Sequence, residues 1–431
     1  MSIAFLLCIV ILLGLAVMGT PIAYAILVAS FAYLAASGQS IGISGKILLD
    51  GLYQSFILLA VPLFIIAANI MNAGSVSDRL LQFCVALVGR FRGGLGHVNI
   101  LSSLVFSGMS GSAIADAAGI GKMIIDMMVK SGHYTRGYAA AITAASATIG
   151  PIIPPSIPMV LYALVSNTSI GFLFLGGIVP GLMMGAMLMA MNAWISHRRG
   201  FAKHEPVPLR EFPALTINAG PALMMPAILL YGIYGGVTTP TEAAAVAAFY
   251  ALILATIFYR SLSFKHFYEI LVTSARSSAA VGLIIGGALI LNYIVASENI
   301  PTVVANALVD LDVHPLVFLL GINLLLLVLG CFLDASTIIL VIIPLFIPTC
   351  RALGIDLVHF GVVAVVNCMI GLITPPYGIL LFVINAVTRI PLAEIIREIW
   401  LFLAALMVAL LLLILIPDIT LMLPRALGYA G

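Results

Sequence analysis

The chain has 431 residues, of which 63% are hydrophobic and only 8% are charged, and its formal net charge is +2. Soluble globular domains carry about 25% charged residues, so this composition excludes a water-soluble protein. Apolar runs close to the ~20 residues that cross a hydrocarbon core recur along the whole length. The composition therefore predicts an all-α polytopic membrane protein.

Eleven segments are predicted to span the bilayer as helices, because backbone in lipid must satisfy its own hydrogen bonds. Two further stretches, residues 95–130 and 314–350, are predicted to be re-entrant helical hairpins that enter the membrane without crossing it. The predicted spans cover residues 3–18, 22–37, 51–72, 77–89, 134–165, 171–195, 214–234, 242–259, 268–296, 356–387 and 392–416.

The positive charges fall mainly on one predicted side of the membrane. With these spans, 14 Lys and Arg residues share the side of the N-terminus, 3 lie opposite (Arg79, Arg351 and Arg425), and Lys122 lies in the first hairpin. Positive loop residues stay in the cytoplasm. The sequence therefore predicts a cytoplasmic N-terminus, a periplasmic C-terminus and a cytoplasmic polar loop at residues 196–212.

A seven-residue motif occurs once on each side of that loop. Ile149–Pro155 and Ile370–Pro376 share five of seven residues at a separation of 221, and Gly108 and Gly330 are 222 apart. Agreeing spacings favour a duplicated unit. The predicted topology puts the two copies on opposite faces, so the sequence predicts an inverted repeat, the architecture of many secondary transporters.

The repeated motif interrupts a predicted helix at membrane depth. Gly150–Pro155 contains three prolines, which remove backbone donors and clash with the preceding turn. Such a break is tolerated only where it is buried in protein or lines a cavity, and the carbonyl oxygens that it frees suit a small hard cation such as sodium. Gly371–Pro376 repeats the arrangement, and Thr374 adds a hydroxyl. The alternative is a plain kink, for which one proline usually suffices.

Each break has a candidate partner at the predicted tip of a hairpin. The first tip is Phe106–Ser112, whose hydroxyls can coordinate a cation or cap the helix that starts near Ala113. The second is Gly330–Thr337, where Asp334 or Ser336 can cap the returning helix. Small residues also serve plain helix packing in membranes. The recurrence of tip and break together in both halves favours a functional role.

Ionisable residues at membrane depth are expensive and usually functional. Asp116 and Asp334 lie nearest the tips and are candidates for hydrogen bonding to substrate or to the tip itself. Lys122 and Asp126 are also predicted in the first hairpin, and Asp126 is expected near the cytoplasmic mouth. Glu242 follows Thr238–Thr241 and is predicted to have a structural role in the first turn of a helix.

Motifs of other chemistries are absent from the sequence. It contains neither a Walker-type glycine loop nor a recognisable Ser/His/Asp arrangement, so neither an ATP site nor an enzyme is predicted. The five cysteines are scattered in apolar sequence without CxxC spacing, which predicts buried, inert thiols. The energy for transport is then expected from an ion gradient or from another chain.

In combination, these motifs resemble the large membrane subunit of tripartite ATP-independent periplasmic (TRAP) transporters, over about residues 2–425. The resemblance rests on Phe106–Ser112, Gly150–Pro155, Gly330–Asp334 and Asn367–Pro376. It implies a sodium-driven importer in the bacterial inner membrane, with an elevator-type scaffold and transport core. It also implies two partners, a small four-helix membrane subunit and a periplasmic substrate-binding protein. Nucleic acid is not an expected partner.

The same resemblance implies two sodium sites and a substrate site. Tyr377 and Cys331 depart from the usual family pattern, at the second sodium site and at the second tip. The implied residues are Ser107, Ser110, Gly150, Ile153 and Pro155 for the first sodium site, Gly330, Gly371, Thr374 and Tyr377 for the second, and Ser112, Asp334, Pro154 and Pro375 for the substrate.

The predicted function is import of an organic acid anion, such as a C4-dicarboxylate or sialic acid. The alternatives are a self-sufficient sodium/carboxylate symporter of the same inverted-repeat design and a membrane-embedded lipid-modifying transferase. The predicted divisions are scaffold helices at 1–75, the first repeat at 76–195, the loop at 196–212, scaffold helices at 213–297, the second repeat at 298–391, and a final helix and tail at 392–431.

Overall fold

The computed structural model describes residues 2–54, 57–72, 75–201, 203, 208, 210–310 and 313–431. Part of the predicted cytoplasmic loop (residues 202, 204–207 and 209) lies outside the described residues. Within the described ranges the chain is helical, and β pairing is confined to one isolated bridge between Arg92 and Lys203. This architecture confirms the predicted all-α class.

The helices of the described chain follow one another with short connections. They are α1 Ile3–Val17, α2 Ile22–Ala36, α3 Gly42–Gln54, α4 Ile57–Asn72, α5 Ser75–Val88, α6 Gly94–Ser110, α7 Ala113–Asp116, α8 Lys122–Lys130, α9 Arg136–Ala147, α10 Ile157–Ser166, α11 Ile170–Arg199, α12 Phe212–Tyr234, α13 Pro240–Ile253, α14 Phe264–Ser297, α15 Ile300–Asp310, α16 Pro315–Gly330, α17 Ala335–Thr337, α18 Ile347–Ala352, α19 Leu357–Gly371, α20 Ile379–Thr388, α21 Leu392–Leu415 and α22 Asp418–Ala426.

Five of the described helices are long and apolar enough to cross a bilayer alone, namely α11, α12, α13 with the turn that follows it, α14 and α21. Helices α4 and α5 together have the composition of a sixth, but their axes are bent by 69°. Shorter apolar helices, among them α1, α2, α10, α19 and α20, account for most of the remaining predicted spans, and α16 lies in the second predicted hairpin. Helix length and composition alone do not confirm the predicted count of eleven spans.

The two halves share one succession of elements. Helix α9 ends at Ala147 and α10 begins at Ile157, while α19 ends at Gly371 and α20 begins at Ile379, which confirms both predicted helix breaks. Each hairpin turn is also followed by a π-helical turn. These turns occupy Ala117–Gly121 and, 221 residues later, Ile338–Ile342. The repeat therefore extends from the sequence motif to the details of the backbone.

Helices α11 to α13 are antiparallel neighbours, which defines two ends of the bundle. The Tyr234 hydroxyl at the end of α12 donates to the Gly171 carbonyl at the start of α11, 2.9 Å away. The Tyr259 hydroxyl after α13 donates to the Asn218 carbonyl near the start of α12, also at 2.9 Å. The end of α11, the start of α12 and the end of α13 therefore lie at one end of the bundle.

Helix α5 lies along this same end. The Arg79 guanidinium is 4.7 Å from the centroid of the Tyr259 ring, and the Phe83 and Phe212 ring centroids are 6.2 Å apart. Just beyond α5, Arg92 is 3.2 Å from a ring nitrogen of His197 at the end of α11. Because residues 79–92 stay at one end, α5 does not cross the bundle. The predicted span at 77–89 is wrong.

The N-terminal residues lie at the opposite end, beside the last residues of α14. The backbone N–H of Ser2 donates to a Glu298 carboxylate oxygen at 2.9 Å, and the Ser2 hydroxyl donates to the other oxygen. The Tyr33 hydroxyl donates to the same carboxylate at 2.9 Å. The hydrogen bonds from Ser2 lower the pKa of the Glu298 carboxyl from its ordinary value.

These contacts correct the predicted topology. The predicted spans put the N-terminus and the C-terminal end of α14 on opposite sides of the membrane, yet Ser2 and Glu298 are hydrogen-bonded partners. The prediction failed because it counted α5 as a span. With one crossing too many, every segment before α5 is put on the wrong side of the membrane relative to every segment after it.

The two broken helices meet where α10 packs against α19. A β-carbon added at Gly361 would lie 2.3 Å from the Tyr162 ring, so glycine is what lets these helices approach. Tyr162 is fully buried, and its hydroxyl donates to the Leu357 carbonyl at 2.7 Å, which prevents the ring from swinging aside. This packing joins the first half to the second next to the breaks.

Gly361→Ala is expected to lower the apparent free energy of unfolding by about 1–3 kcal/mol, the usual range for overpacking. All five cysteines are buried, so a thiol-reactive dye reports unfolding of the purified protein directly. Gly321→Ala is the matched control, because a β-carbon there meets nothing within 4 Å. Equal unfolding temperatures for the two variants would contradict the proposed packing of α10 on α19.

Candidate functional site

The first hairpin turns at Ser110–Ser112, between α6 and α7. Gly111 adopts a left-handed conformation with φ +58°, and the Ser112 hydroxyl caps α7 by accepting the backbone N–H of Ala115 at 3.3 Å. The Ser110 hydroxyl donates to the carboxylate of Asp116, a buried residue in the first turn of α7. Asp116 therefore fixes the side chain of Ser110 at the tip.

The first break lies directly against this tip. A β-carbon at Gly111 would be 2.5 Å from the Pro155 carbonyl oxygen, and one at Gly150 would be 2.4 Å from a carboxylate oxygen of Asp116. The predicted pairing of the first tip with the first break is therefore confirmed. Both contacts are close enough to exclude water between the two segments.

Several oxygens at the first break lack hydrogen-bond partners. Within the described chain, the carbonyl oxygens of Gly150, Ile153 and Pro155 accept no hydrogen bond. The buried hydroxyl of Ser107 donates to the Leu104 carbonyl at 2.5 Å, and that of Ser110 accepts the Ser112 N–H at 3.4 Å. A hydroxyl oxygen has two lone pairs, so each of the two still has one for a cation. This set of neutral oxygens fits a hard monovalent cation and suits no soft transition metal.

The second hairpin tip contacts the second break in the same manner. A β-carbon at Gly371 would lie 2.7 Å from the α-carbon of Gly330, so the two backbones touch. The Gly378 N–H donates to the Cys331 carbonyl at 3.2 Å, which fastens the chain after the break to the tip. Cys331, the unusual residue at this tip, therefore acts here through its backbone, while its thiol donates to the Leu327 carbonyl.

The oxygens of the second break are partly engaged. The Gly371 carbonyl accepts the Thr374 N–H at 3.0 Å, and the Thr374 hydroxyl donates to the Ile370 carbonyl at 2.8 Å. Among the described residues, the carbonyl oxygens of Gly330, Thr374 and Tyr377 accept no hydrogen bond. Gly371 is thus the one predicted ligand of the second set whose carbonyl already has a partner.

The Tyr377 side chain points away from the break. It is 48% exposed, and its ring lies 4.8 Å from the Phe382 ring and 6.4 Å from the Phe332 ring, centroid to centroid. The bulky residue at this position is therefore accommodated in an aromatic cluster on the surface. Its size does not fill the space between the tip and the break.

A cavity of about 480 Å³ separates the two tips and is lined by both of them. Ser110 and Ser112 face it from the first tip, and Asp334 and Ser336 from the second. Asp334 caps α17, since its carboxylate accepts the Thr337 N–H at 3.2 Å and the Thr337 hydroxyl at 2.5 Å. Most of the other lining residues are apolar, as is usual for a small-molecule site.

Two of the four predicted substrate residues are in this cavity and two are not. Ser112 and Asp334 line it, whereas Pro154 and Pro375 do not. Pro154 is buried on the far side of the break, where its carbonyl faces Gly108. The prolines of the first half that do line the cavity are Pro151 and Pro158.

The cavity also has polar residues that the sequence analysis missed. Asn69 on α4 and Ser277 on α14 line the wall opposite the tips, and the Asn69 amide donates to the Ser274 hydroxyl at 2.8 Å. Neither residue belongs to one of the glycine and proline motifs that mark the tips and the breaks. In the sequence, the one local signal was the amide of Asn69 within an apolar helix.

A buried polar network lies behind the first tip, between α6 and α9. The Asn99 amide donates to the Thr143 hydroxyl at 2.6 Å, and the Ser146 hydroxyl donates to the Asn99 carbonyl oxygen at 2.9 Å. The Ser103 hydroxyl donates to Ser146 at 3.0 Å. Within the described chain, one carboxylate oxygen of Asp116 beside this network has no hydrogen-bond partner.

Several further predictions are settled by the structure. The five cysteines are all free and buried, as predicted. Glu242 forms a capping box with Thr239, which confirms its structural role. Lys122 and Asp126 are exposed on α8 and do not reach the cavity.

Two broken helices, each held against a hairpin tip, with both tips facing one cavity, define a membrane transport protein of the internal-repeat type. Residues 9–419 match the family described as "Tripartite ATP-independent periplasmic transporter, DctM component". The chain belongs to this family. It is therefore a multi-pass membrane protein and a large permease subunit.

Curated relatives cover nearly the whole chain. The sialic acid TRAP transporter large permease protein SiaM of Vibrio cholerae is 42% identical over 97% of this chain and 98% of its own length. The C4-dicarboxylate TRAP transporter large permease protein DctM of Pseudomonas aeruginosa is 40% identical over 87% and 88%. The isethionate TRAP transporter permease protein DctMQ of Oleidesulfovibrio alaskensis is 41% identical over 92% of this chain but 62% of that protein.

The fold is also similar to that of a solved transporter. The crystal structure of the Alcanivorax borkumensis YdaH transporter superposes with a TM-score of 0.62, over 85% of this chain and 86% of that chain. The sequence identity is 15%, so this likeness concerns the fold alone.

Two substitutions at Asp334 distinguish its role as a helix cap from the effect of its negative charge. Asp334→Ala is expected to destabilise the protein by about 1 kcal/mol, because the Thr337 N–H loses its acceptor. Asp334→Asn keeps an acceptor oxygen and is expected to unfold within a few tenths of a kcal/mol of the parent protein. Thermal unfolding of the purified variants measures both. A destabilisation by asparagine equal to that by alanine would show that the charge, and not the cap, stabilises the tip.

Proposed function

We propose that this chain is the sodium-driven transport subunit of a TRAP system and imports an organic acid anion. The anion is delivered by a periplasmic binding protein, and a small four-helix membrane subunit completes the complex. One observation carries the proposal: each hairpin tip contacts its own broken helix, and both tips line the same cavity. Ions bound between tip and break can then shape the cavity that receives the substrate.

Unpaired main-chain oxygens support sodium as the coupling ion. In transporters, unwound backbone at membrane depth coordinates sodium through carbonyl oxygens. The first break offers the carbonyls of Gly150, Ile153 and Pro155, and the second offers those of Gly330, Thr374 and Tyr377. Ile153 and Thr374 are equivalent positions of the repeat, 221 residues apart, so we propose one sodium ion in each half.

The start of α7 and the names of the relatives support an anionic substrate. The first residues of α7 line the cavity, and the N-terminus of a helix attracts negative charge. The carboxylate of Asp334 would repel an anion, so the sodium ion proposed nearby would have to offset the charge of Asp334. The relatives are named for sialic acid, C4-dicarboxylates and isethionate, all organic acids.

The relatives also support the partners. They carry the names of TRAP permeases, which favours a multi-subunit importer over a self-sufficient symporter. This chain matches 62% of the length of the isethionate permease DctMQ. The unmatched part of that protein is long enough to contain a second subunit fused to the large one. We propose that a separate small membrane subunit serves this chain.

We further propose ten crossings, with both termini in the periplasm. Omitting α5 moves Arg79 to the cytoplasmic side and Lys46 to the periplasmic side, so the division of Lys and Arg stays at 14 to 3. The first hairpin then enters from the cytoplasm and the second from the periplasm, which gives the inverted repeat. In this arrangement the hairpins and broken helices would move as an elevator against the scaffold helices, including α4 and α14.

Uptake of substrate into proteoliposomes tests the sodium coupling. With the small subunit and the loaded binding protein present, uptake is expected with an inward sodium gradient and not with potassium in its place. Thr374→Val removes the hydroxyl next to the second set of oxygens and is expected to raise the half-saturating sodium concentration about tenfold. Thr374→Ser is the matched control, because it keeps the hydroxyl. Unchanged uptake in potassium would refute sodium coupling.

Cysteine labelling tests the orientation. The native cysteines are all buried, so the background of labelling is low. Ser40→Cys, in the exposed loop after α2, is expected to react with an impermeant maleimide in spheroplasts. Lys265→Cys, exposed at the other end of the bundle, is expected to react only after permeabilisation. The reverse pattern would restore a cytoplasmic N-terminus.

A further inference from the structure

A second cavity, distant from the hairpin tips, lies where the first hairpin begins. Its volume is about 430 Å³, and we call it the Arg92 pocket. It is lined by Val88, Phe91, Arg92, His97, Met189, Ala193 and His197. The proposed transport cycle does not use this pocket.

The Arg92 pocket has one polar wall and one apolar wall. Arg92, His97 and His197 supply nitrogen donors, and Arg92 lies 3.2 Å from a ring nitrogen of His197. Apolar side chains form the other wall, with Phe91 packed edge-on against the His97 ring at 6.3 Å. The described residues that line the pocket include no carboxylate. The positive charge of the polar wall therefore complements an anionic group, and the apolar wall complements a hydrocarbon part of the same ligand.

The position of Arg92 is fixed by the corner between α5 and α6. Gly93 is left-handed with φ +70°, and a β-carbon there would lie 1.9 Å from the Ser196 hydroxyl oxygen. The Asn192 amide donates to the Gly93 carbonyl at 3.3 Å. Because this corner is clamped against α11, Arg92 is held beside His197 before any ligand arrives.

The exposed aromatic residues around the pocket have arginine neighbours. Trp194 is 45% exposed on the outer face of α11, and the Arg198 guanidinium lies 4.4 Å from its ring. Phe91 is 48% exposed, with the Arg90 guanidinium 5.3 Å from its ring. Exposed tryptophan with neighbouring arginine is typical of the membrane interface.

We propose that the Arg92 pocket binds one anionic phospholipid. Arg92, His97 and His197 contact its phosphate, and Val88, Met189 and Ala193 contact the start of an acyl chain. Basic pockets between helices at the cytoplasmic surface are recognised sites for anionic headgroups. The bound lipid would tie the base of the first hairpin to α11. This assignment is independent of the proposed substrate and coupling ion.

Native mass spectrometry of the purified full chain, titrated with phosphatidylglycerol or phosphatidylcholine, tests the proposal. The parent protein is expected to bind the first phosphatidylglycerol more tightly than phosphatidylcholine. The double variant Arg92→Gln/His197→Gln is expected to weaken that binding by about fivefold or more. Lys265→Gln, which removes a charge at the same end outside the pocket, is expected to leave it unchanged.

Two further arms keep the test decisive. Ala193→Trp fills the apolar wall and keeps every charge, so it is expected to weaken phosphatidylglycerol binding as well; unchanged binding would overturn the lipid assignment. Displacement of the lipid by millimolar inorganic phosphate would also overturn it, because the pocket would then be a site for a small anion. Equal losses in the double variant and in Lys265→Gln would show nonspecific attraction. Unfolding temperatures without lipid verify that each variant is folded.

Discussion

A polypeptide that leaves the helical conformation at membrane depth must find partners for its free backbone groups within the protein. This constraint governs the centre of the structure. The proline motifs end α9 and α19 within the bundle, and each ending is covered by the tip of a helical hairpin. The contacts are made by backbone against backbone, at Gly330 with Gly371 and at Gly111 with Pro155. Glycine is required on the tips because any side chain would hold the hairpin away from the break.

The same contacts create the cavity. Because each tip stops at the break of its own half, the two hairpins stop short of one another and leave a space of about 480 Å³ between them. The helices that follow the tips start at the edge of this space, so Ser112 and Asp334 are both caps and lining residues. Structural and binding roles therefore fall on the same side chains. Substitutions there require a stability measurement before any loss of transport is interpreted.

The sequence was sufficient to locate the breaks and the tips, because proline and glycine act locally and their spacing repeats. It was misleading at α5, whose 14 residues are apolar enough to resemble a short span. What decides its position is the packing of Arg79 and Phe83 on residues more than 120 positions away. Asn69 and Ser277 were missed for a related reason, since their role depends on which face of an ordinary apolar helix meets the cavity. Features set by local sequence, such as the breaks and the tips, were predictable. Which face of a long apolar helix meets the cavity was not.

The position of Asp334 bears directly on the order of binding in the proposed cycle. Its carboxylate lines the cavity, where it repels an organic anion and yet is needed to cap α17. A cation held between Gly330 and the second break would lie near this carboxylate and reduce the repulsion between it and the anion. The first break has a buried carboxylate in the corresponding region, since Asp116 touches Gly150. In the proposed cycle each set of neutral oxygens would have one acid near it, so a cation would bind before the anion and the anion's affinity would depend on that cation.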